Sequence, residues 1–150
     1  MGGSIKSTLH IAPGAPATIN QAGFEALTFT EVGSIASIGE RGDTHSDIER
    51  PADLKTGRKK SLKGAVSGGN FPVTCHTEDF ADAGQDAVRT ACAAFGSSAD
   101  YSIKVLNPAG DAEYYTGYLR DFRRSEKSET SHEGCAFVMV SNEEPVIVEA

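Results

Sequence analysis

Three polar residues at alternating positions, Asp43, His45 and Asp47, could do chemistry if they lie in an extended segment. Alternate residues of a strand point to the same face, so this spacing would bring two carboxylates and an imidazole together. Such a group can bind a metal ion or carry out acid–base chemistry. Because no hydrophobic pocket is indicated beside them, we favour the alternative, a solvated polar segment.

Two other pairs have the residue types of a zinc site: Cys75 with His76, and His132 with Cys135. Adjacent residues of a strand point to opposite faces, so Cys75 and His76 cannot both reach one ion. The usual C-x2-C and H-x3-H spacings are absent, and no nucleophile signature or phosphate-binding loop occurs. We therefore expect no metal, no cofactor and no enzymatic activity. With Cys92, the cysteines make an odd set of three, which favours free thiols.

The charge balance of the chain is acidic. Its 150 residues include 14 Lys and Arg against 21 Asp and Glu, a formal net charge of −7. This length fits one domain, residues 1–150, and the acidic balance argues against broad binding of nucleic acid phosphates. No apolar run approaches the ~18 residues of a membrane helix, so no membrane partner is expected.

Residues 39–63 are poor in large apolar side chains and rich in basic ones, including the run Arg58-Lys59-Lys60. The composition predicts a long polar loop, and such loops are usually functional or ordered by a partner. Residues 129–150 carry five acids and no Lys or Arg. A basic loop and an acidic end on one chain favour head-to-tail self-association.

Most of the remaining chain predicts strands, with one helix. We expect an irregular N-terminal arm over residues 1–23, a strand over 24–38 broken at Gly33, another over 71–77 and a hairpin over 101–124. Gly117 predicts a bulge or a close approach within that hairpin. A last strand over 135–140 is apolar at both its odd and its even positions, which predicts that other elements cover both of its faces. Residues 143–150 predict an edge strand or a C-terminal arm.

The helix begins after Asp82, with Gln85 completing a capping box, and Gly96 predicts its end. Its apolar stripe and the last strand supply the predicted core: Val88, Ala91, Cys92, Phe95, Phe137 and Met139. The predicted fold class is α+β and mainly β. We expect an antiparallel β-sandwich or open barrel with one flanking helix and a long inter-strand loop.

The ordered set of elements resembles a known family. It is carried by Val32-Gly33-Ser34-Ile35 before the charged loop, by Gly84-Gln85-Asp86-Ala87-Val88 opening the helix, and by the hairpin with its Asn-Pro-x-Gly turn, Tyr115 and Gly117, followed by an apolar strand. From Phe24 to Val140 the chain resembles the tail tube, or major tail, proteins of long non-contractile-tailed phages, most closely the lambda-like group.

The resemblance implies a structural virion protein whose hexameric rings stack into the tail tube, the conduit for DNA ejection into the host. Implied partners are further copies of the chain, the tape measure, tail terminator and tail tip proteins, and double-stranded DNA that passes without specific binding. The implied location is the virion tail, assembled in the host cytoplasm. The loop over 42–62 would be the inter-ring stacking loop, with Asp43, Arg50, Asp53, Lys55, Arg58, Lys59 and Lys60 as its charged residues. The acids Glu129, Glu133, Glu143 and Glu144 would line contacts or the lumen.

Two alternatives accompany this interpretation. The first is a related ring-forming baseplate component or a type VI secretion-like tube component, because the same folded unit is reused there. The second is a small metal-dependent enzyme that uses Asp43, His45 and Asp47.

Overall fold

A computed structural model describes residues 6–130 and 133–150 of the chain. Within them the chain has two α-helices, α1 (Gln21–Glu25) and α2 (Ala83–Ala93), and a 3-10 turn at Gly96–Ala99. No helix in these ranges is long and apolar enough to cross a membrane. The strands are β1 (Thr8–Pro13), β2 (Thr30–Val32), β3 (Ile35–Ile38), β4 (Thr44–Glu49), β5 (Ser61–Ser67), β6 (Asn70–Cys75), β7 (Tyr101–Leu106), β8 (Ala112–Arg124), β9 (Cys135–Ser141) and β10 (Val146–Val148).

One antiparallel sheet dominates the fold, in the order β2-β1-β7-β8-β9-β6-β3, with β10 also pairing with β8. The first and last strands of this order, β2 and β3, are separated in the chain by Gly33 and Ser34 alone. This link keeps Val32 and Ile35 within about 11 Å of each other, so the sheet must curl until its two ends meet. The predicted class, α+β and mainly β with one main helix, is confirmed.

We call Gly33 and Ser34 the seam, and the start of helix α2 holds it. The Asp82 carboxylate accepts from the Gly33 N–H at 3.0 Å and caps the helix by accepting from the Gln85 N–H at 2.9 Å. The buried Gln85 amide donates to the carbonyls of Gly33 at 3.0 Å and Thr77 at 2.9 Å. Its oxygen accepts from the Asp79 N–H at 2.8 Å. The predicted cap is therefore present, but Gln85 reaches Asp79 rather than the N–H of Asp82.

Helix α2 lies directly on the sheet because its first turn contains Gly84. A Cβ at this position would lie 2.1 Å from the Glu31 carbonyl oxygen of β2. Only glycine allows such a close approach. The helix axis is consequently fixed against the strand that leads into the seam.

The core lies between α2 and the concave face of the sheet. Val88, Ala91, Phe137 and Met139 are buried there as predicted, and Cys92 packs partly buried against them. The assignment of Phe95 to the core is wrong, because its side chain is 89% exposed. The helix ends at Ala93 and Ala94 is already extended, so Phe95 leaves the apolar stripe before it completes another turn.

The N-terminal part departs from its prediction. Residues 8–13 are no irregular arm but strand β1, which pairs with both β2 and β7 and buries Leu9 and Ile11. Phe24 lies in α1 rather than in a strand, because the Asn20 side chain caps that helix by accepting from the Gly23 N–H at 2.8 Å. Phe24 stacks on Tyr114 at 5.1 Å between ring centroids, so α1 covers the outer face of β8 at its start.

The C-terminal half follows its prediction more closely. Strands β7 and β8 pair with each other as predicted. A Cβ on Gly117 would lie 1.9 Å from the Val140 carbonyl oxygen, which confirms the predicted close approach. The bulge falls later in β8, where Asp121 has φ +58°. The expectation that β9 is covered on both faces is wrong, since burial alternates along it. The segment after Pro145 is the edge strand β10.

The predicted long loop over 42–62 is also wrong as a description of local structure. Strands β4 and β5 pair with each other as a separate two-stranded sheet, the hairpin, and residues 50–60 form its tip. The hairpin joins the barrel through residues 40–43 and 68–69, the neck, where Gly42 and Gly69 have φ of +140° and +66°.

The neck is held by one ion pair. Arg41 contacts both carboxylate oxygens of Glu113 on β8, at 3.0 and 3.2 Å, and the Tyr115 hydroxyl donates to the same carboxylate at 2.6 Å. Burial alone would raise the pKa of Glu113, but hydrogen bonds from Arg41 and Tyr115 outweigh it and hold that pKa below its ordinary value. The charged carboxylate is therefore stabilised by folding.

We expect Gln85→Ala to lower the free energy of unfolding by about 2–4 kcal/mol, because it removes one hydrogen bond to the seam and two to Thr77 and Asp79, and leaves those backbone groups unpaired. Urea unfolding of the monomer measures this. The matched control is Gln21→Ala, because this glutamine is exposed on α1 and its amide donates to the exposed Glu25 side chain. An equal loss in both variants would contradict the role given to Gln85.

We expect Glu113→Gln to cost about 1–3 kcal/mol at neutral pH, because it weakens charged hydrogen bonds from Arg41. A depressed pKa in the folded state gives stabilisation that is complete above the unfolded value near 4.5 and is lost as pH falls through the folded value. The difference between parent and variant should therefore shrink below pH ~4.5. Unfolding curves against pH measure it, with the exposed Glu40→Gln as control. A difference independent of pH would contradict the ionic origin.

Candidate assembly surfaces

The hairpin exposes an apolar face that the rest of the described chain leaves uncovered. Ile48 lies opposite Leu62, so these two side chains share one face, whereas Val66 lies opposite His45 on the other face. Ile48, Leu62 and Val66 are 54%, 45% and 59% exposed. Every residue of β4 and β5 is exposed apart from the half-buried Gly64. An isolated two-stranded hairpin is at best marginally stable in water, so this face is typical of an interaction surface.

The tip carries the positive charge. Arg50, Lys55, Arg58, Lys59 and Lys60 are exposed there, and Asp53 is the only acid between positions 50 and 60. Asp53 is occupied in shaping the turn, since its carboxylate accepts from the Lys55 N–H at 2.8 Å. None of the ion pairs found within residues 6–130 and 133–150 involves the tip. Its basic groups are thus available to an acidic surface.

The four predicted acidic residues separate into two groups. Glu143 and Glu144 line a cleft with Asp43 and His45 at the base of the hairpin. Glu129 and Glu133 lie before β9, whereas Glu143 and Glu144 follow it, so a strand of seven residues, about 23 Å long, lies between the groups. Glu133 is exposed and lies 3.7 Å from Lys127. The structure therefore brings Asp43 to one acidic pair and places the other pair at the opposite end of the barrel.

Part of the sheet has an outer face that no described element covers, and we call it the open face. It is formed by outward-pointing residues of β3, β6, β8 and β9: Ser37, Pro72, Thr74, Tyr118, Arg120, Arg123, Ala136, Val138 and Val140. The four predicted acids lie beyond the ends of β9 rather than on this face. Its charged groups are Arg120, which pairs with Asp121, and Arg123.

The residues considered for metal chemistry are brought together only in part. His45 and Asp47 alternate along β4 and share one face, as predicted for an extended segment, because the extra residue of the bulge lies in β5, between Lys63 and Val66. Asp43 precedes the strand and lines a cleft with His45. Cys75 is buried while His76 is exposed, and His132 lies outside the described residues. Across the described ranges no three His, Cys, Asp or Glu side chains form a group that could hold a metal ion.

One juxtaposition escaped the sequence analysis. Cys75 and Cys135, sixty positions apart, are direct register partners on β6 and β9 and are both buried. No spacing rule indicates such a pair, because it depends on which strands become neighbours.

Comparisons with known proteins place the fold. No family model matches the chain, and no curated protein matches it. Solved structures do. The chain is similar to a component of the sheath/tube terminator of an extracellular contractile injection system, PVC, with a TM-score of 0.61, 9% identity and coverage of 99% of this chain and 98% of that one.

A second similar structure is the PVC sheath-tube complex in the extended state, with a TM-score of 0.59, 10% identity and coverage of 95% and 88%. A third is the six-fold symmetrised baseplate of the anti-feeding prophage, with a TM-score of 0.62, 8% identity and coverage of 99% and 95%. The chain therefore has the fold of tail-type and injection-system components. These neighbours come from contractile systems, so they do not support the specific lambda-like family.

Proposed function

We propose that the chain is a structural, non-enzymatic subunit that assembles with its own copies into hexameric rings, and that the rings stack into the tube of a phage tail or a related particle. The observation that carries the proposal is the hairpin, whose apolar face and basic tip lack partners within the described chain. The fold, shared over nearly the whole chain with components of tube and baseplate assemblies, supports it.

The hairpin is the element that fits contact between subunits. Its apolar side chains gain free energy when they leave water, at about 25 cal/mol for each Å² buried. Its neck is fixed to the barrel by Arg41 and Glu113, so the hairpin presents this surface from a defined root. A neighbouring copy that covers the apolar face would also order the strands.

Charge favours a head-to-tail contact. The basic tip extends from a hairpin rooted beside Glu143 and Glu144, and Glu129 and Glu133 lie at the other end of the barrel. In a stack of identical rings, the tip of one copy meets an acidic end of another. Such a heterologous contact repeats without closing, which produces a tube. The same residues, Asp43, Arg50, Asp53, Lys55, Arg58, Lys59 and Lys60, are thus proposed as the stacking set.

The open face is proposed to line the channel. It is a continuous sheet surface of mostly small, uncharged side chains with Tyr118 around Arg120 and Arg123, and no element of the described chain covers it. Double-stranded DNA would pass it without specific binding, because base recognition needs side chains that enter the grooves. Tape measure, terminator and tail tip proteins are the further proposed partners, in a virion tail assembled in the host cytoplasm.

A second candidate function is a ring that ends or roots a tube, such as a terminator or baseplate component. Its support is that two of the similar structures are described as a sheath/tube terminator and a baseplate. Polymer length separates the two functions, because a stacking subunit forms tubes of many rings and an end component forms single rings.

We expect reversal of the tip charges, in the triple variant Arg58→Glu, Lys59→Glu and Lys60→Glu, to abolish tubes while the monomer keeps its unfolding midpoint. The three side chains are exposed, so surface substitutions there cost within about 0.5 kcal/mol. Sedimentation of assemblies, with electron microscopy of the pellet, measures this. Tubes of normal length from the variant would contradict the assignment.

The acidic partner is identified by a compensating exchange. The triple tip variant is combined with one of two double substitutions, either Glu143→Lys with Glu144→Lys or Glu129→Lys with Glu133→Lys. Restored sedimentation with one pair identifies that pair as the contact of the tip. If neither restores it, the proposed charge complementarity is wrong.

We expect the double variant Ile48→Ser and Leu62→Ser to reduce the fraction of protein in assemblies at least tenfold, which corresponds to about 1.4 kcal/mol for each contact. The unfolding midpoint of the monomer should change little, because both side chains are already about half exposed to water. The matched control is Val66→Ser, because Val66 is an exposed apolar residue that lies opposite His45 on the other face of the hairpin. Equal loss of assembly in the control would contradict a specific apolar contact.

A further inference from the structure

Cys75 and Cys135 form a pair of facing thiols in the barrel wall. Cys75 is the last residue of β6 and Cys135 the first of β9, and the two are opposite each other in the register. Both side chains point inward, with 5% and 3% of their surface exposed. Each thiol lies close enough to the other to affect its pKa.

The backbone spacing suits a disulfide. The Ser141 N–H donates to the Gly69 carbonyl at 3.1 Å, which marks that position as a hydrogen-bonded pair of the β6–β9 ladder. Such pairs recur at every second residue, so Cys75 and Cys135 occupy one too. The Cα atoms of such pairs are about 5.5 Å apart, inside the range of about 4.4–6.8 Å found in disulfides.

We propose that Cys75 and Cys135 form a reversible disulfide when the protein meets a small-molecule disulfide such as oxidised glutathione. One cysteine thiolate attacks the glutathione disulfide, which gives a mixed disulfide and releases one glutathione thiolate. The second cysteine thiolate attacks the mixed disulfide and releases the other glutathione. The two cysteine sulfurs are oxidised, one glutathione disulfide is reduced to two glutathione thiols, and the protons of the cysteines pass to these thiols.

The location of the pair sets the rate. Burial raises the pKa of Cys75 to about 12 and also raises the pKa of Cys135, so few thiolates exist at neutral pH and the exchange is slow. Access comes from opening of the strand ends, where both residues lie, since terminal pairs open at lower free energy than central ones. Burial and Glu78 raise the pKa of the Cys135 thiol, while Cys75, Arg89 and Arg124 oppose them.

The same geometry makes the bond easy to reduce. In hydrogen-bonded pairs of an antiparallel ladder the side chains are further apart than in the alternate pairs, so the Cβ atoms must approach when the bond forms. A disulfide formed against such resistance is readily reduced and is typical of regulatory rather than structural bonds.

Cys92 serves as the internal control. It lies on α2, half-buried, where the nearby groups that affect its pKa are Asp121 and Phe122 rather than the other cysteines. Its thiol should stay free while the facing pair reacts.

The test incubates the full chain and the variant Cys92→Ala with oxidised glutathione, quenches with acid, alkylates the free thiols and maps the peptides by mass spectrometry. We expect the parent to go from three free thiols to one, with a Cys75–Cys135 linked peptide and no retained glutathione. Excess reduced glutathione should restore both thiols. The Cys92→Ala variant should lose all of its thiols at the same rate.

Three results would overturn the proposal. The first is that folded Cys92→Ala keeps both thiols over a time in which the same variant, unfolded in urea, loses them. The second is a disulfide that includes Cys92. The third is glutathione that stays bound to Cys75 or Cys135 without a linked peptide. The parent and Cys92→Ala keep the facing pair intact, so the test does not depend on a variant that alters the barrel wall.

Discussion

The fold depends on closing the curled sheet at a seam of two residues. Gly33 and Ser34 join the two ends of the strand order, and the backbone groups of Gly33 are bound by Asp82 and Gln85 from the start of α2. Because the Asp82 side chain both caps the helix and binds the seam, and Gln85 of the first helical turn also binds the seam, the position of the helix and the curvature of the sheet are set together. The core between them follows from that single arrangement.

Closure also determines what remains available for binding. Strand β3 leaves the seam and runs into the neck, so the hairpin is rooted where the barrel is already fixed by Arg41 and Glu113. One part of the sheet is covered outside by α1 and β10, while the open face is not. The molecule therefore has an asymmetric surface, with a protruding hairpin, an open face and acids at both ends of β9. These features suit a subunit that meets copies of itself.

Local chemistry made part of this fold predictable. The Asp82 cap and the Asn-Pro-x-Gly turn depend on neighbouring residues, and both were anticipated. Strand β1 was missed because its glycine- and proline-rich surroundings masked a buried alternation of Leu9 and Ile11. Phe95 continued a helical period that the backbone does not follow. The hairpin lacked apolar alternation, and the Cys75–Cys135 pair depends on strand order, which short-range patterns do not encode.

The central claim is that the hairpin joins copies of this chain into stacked rings. Cryo-electron microscopy of the concentrated, untagged protein tests it most directly, because it shows both the assembly and the place of each hairpin. The account predicts hollow tubes of six-fold rings, with the apolar face of each hairpin covered by a neighbouring copy. Tubes in which the hairpins remain uncovered, or a protein that stays monomeric at every concentration, would contradict it.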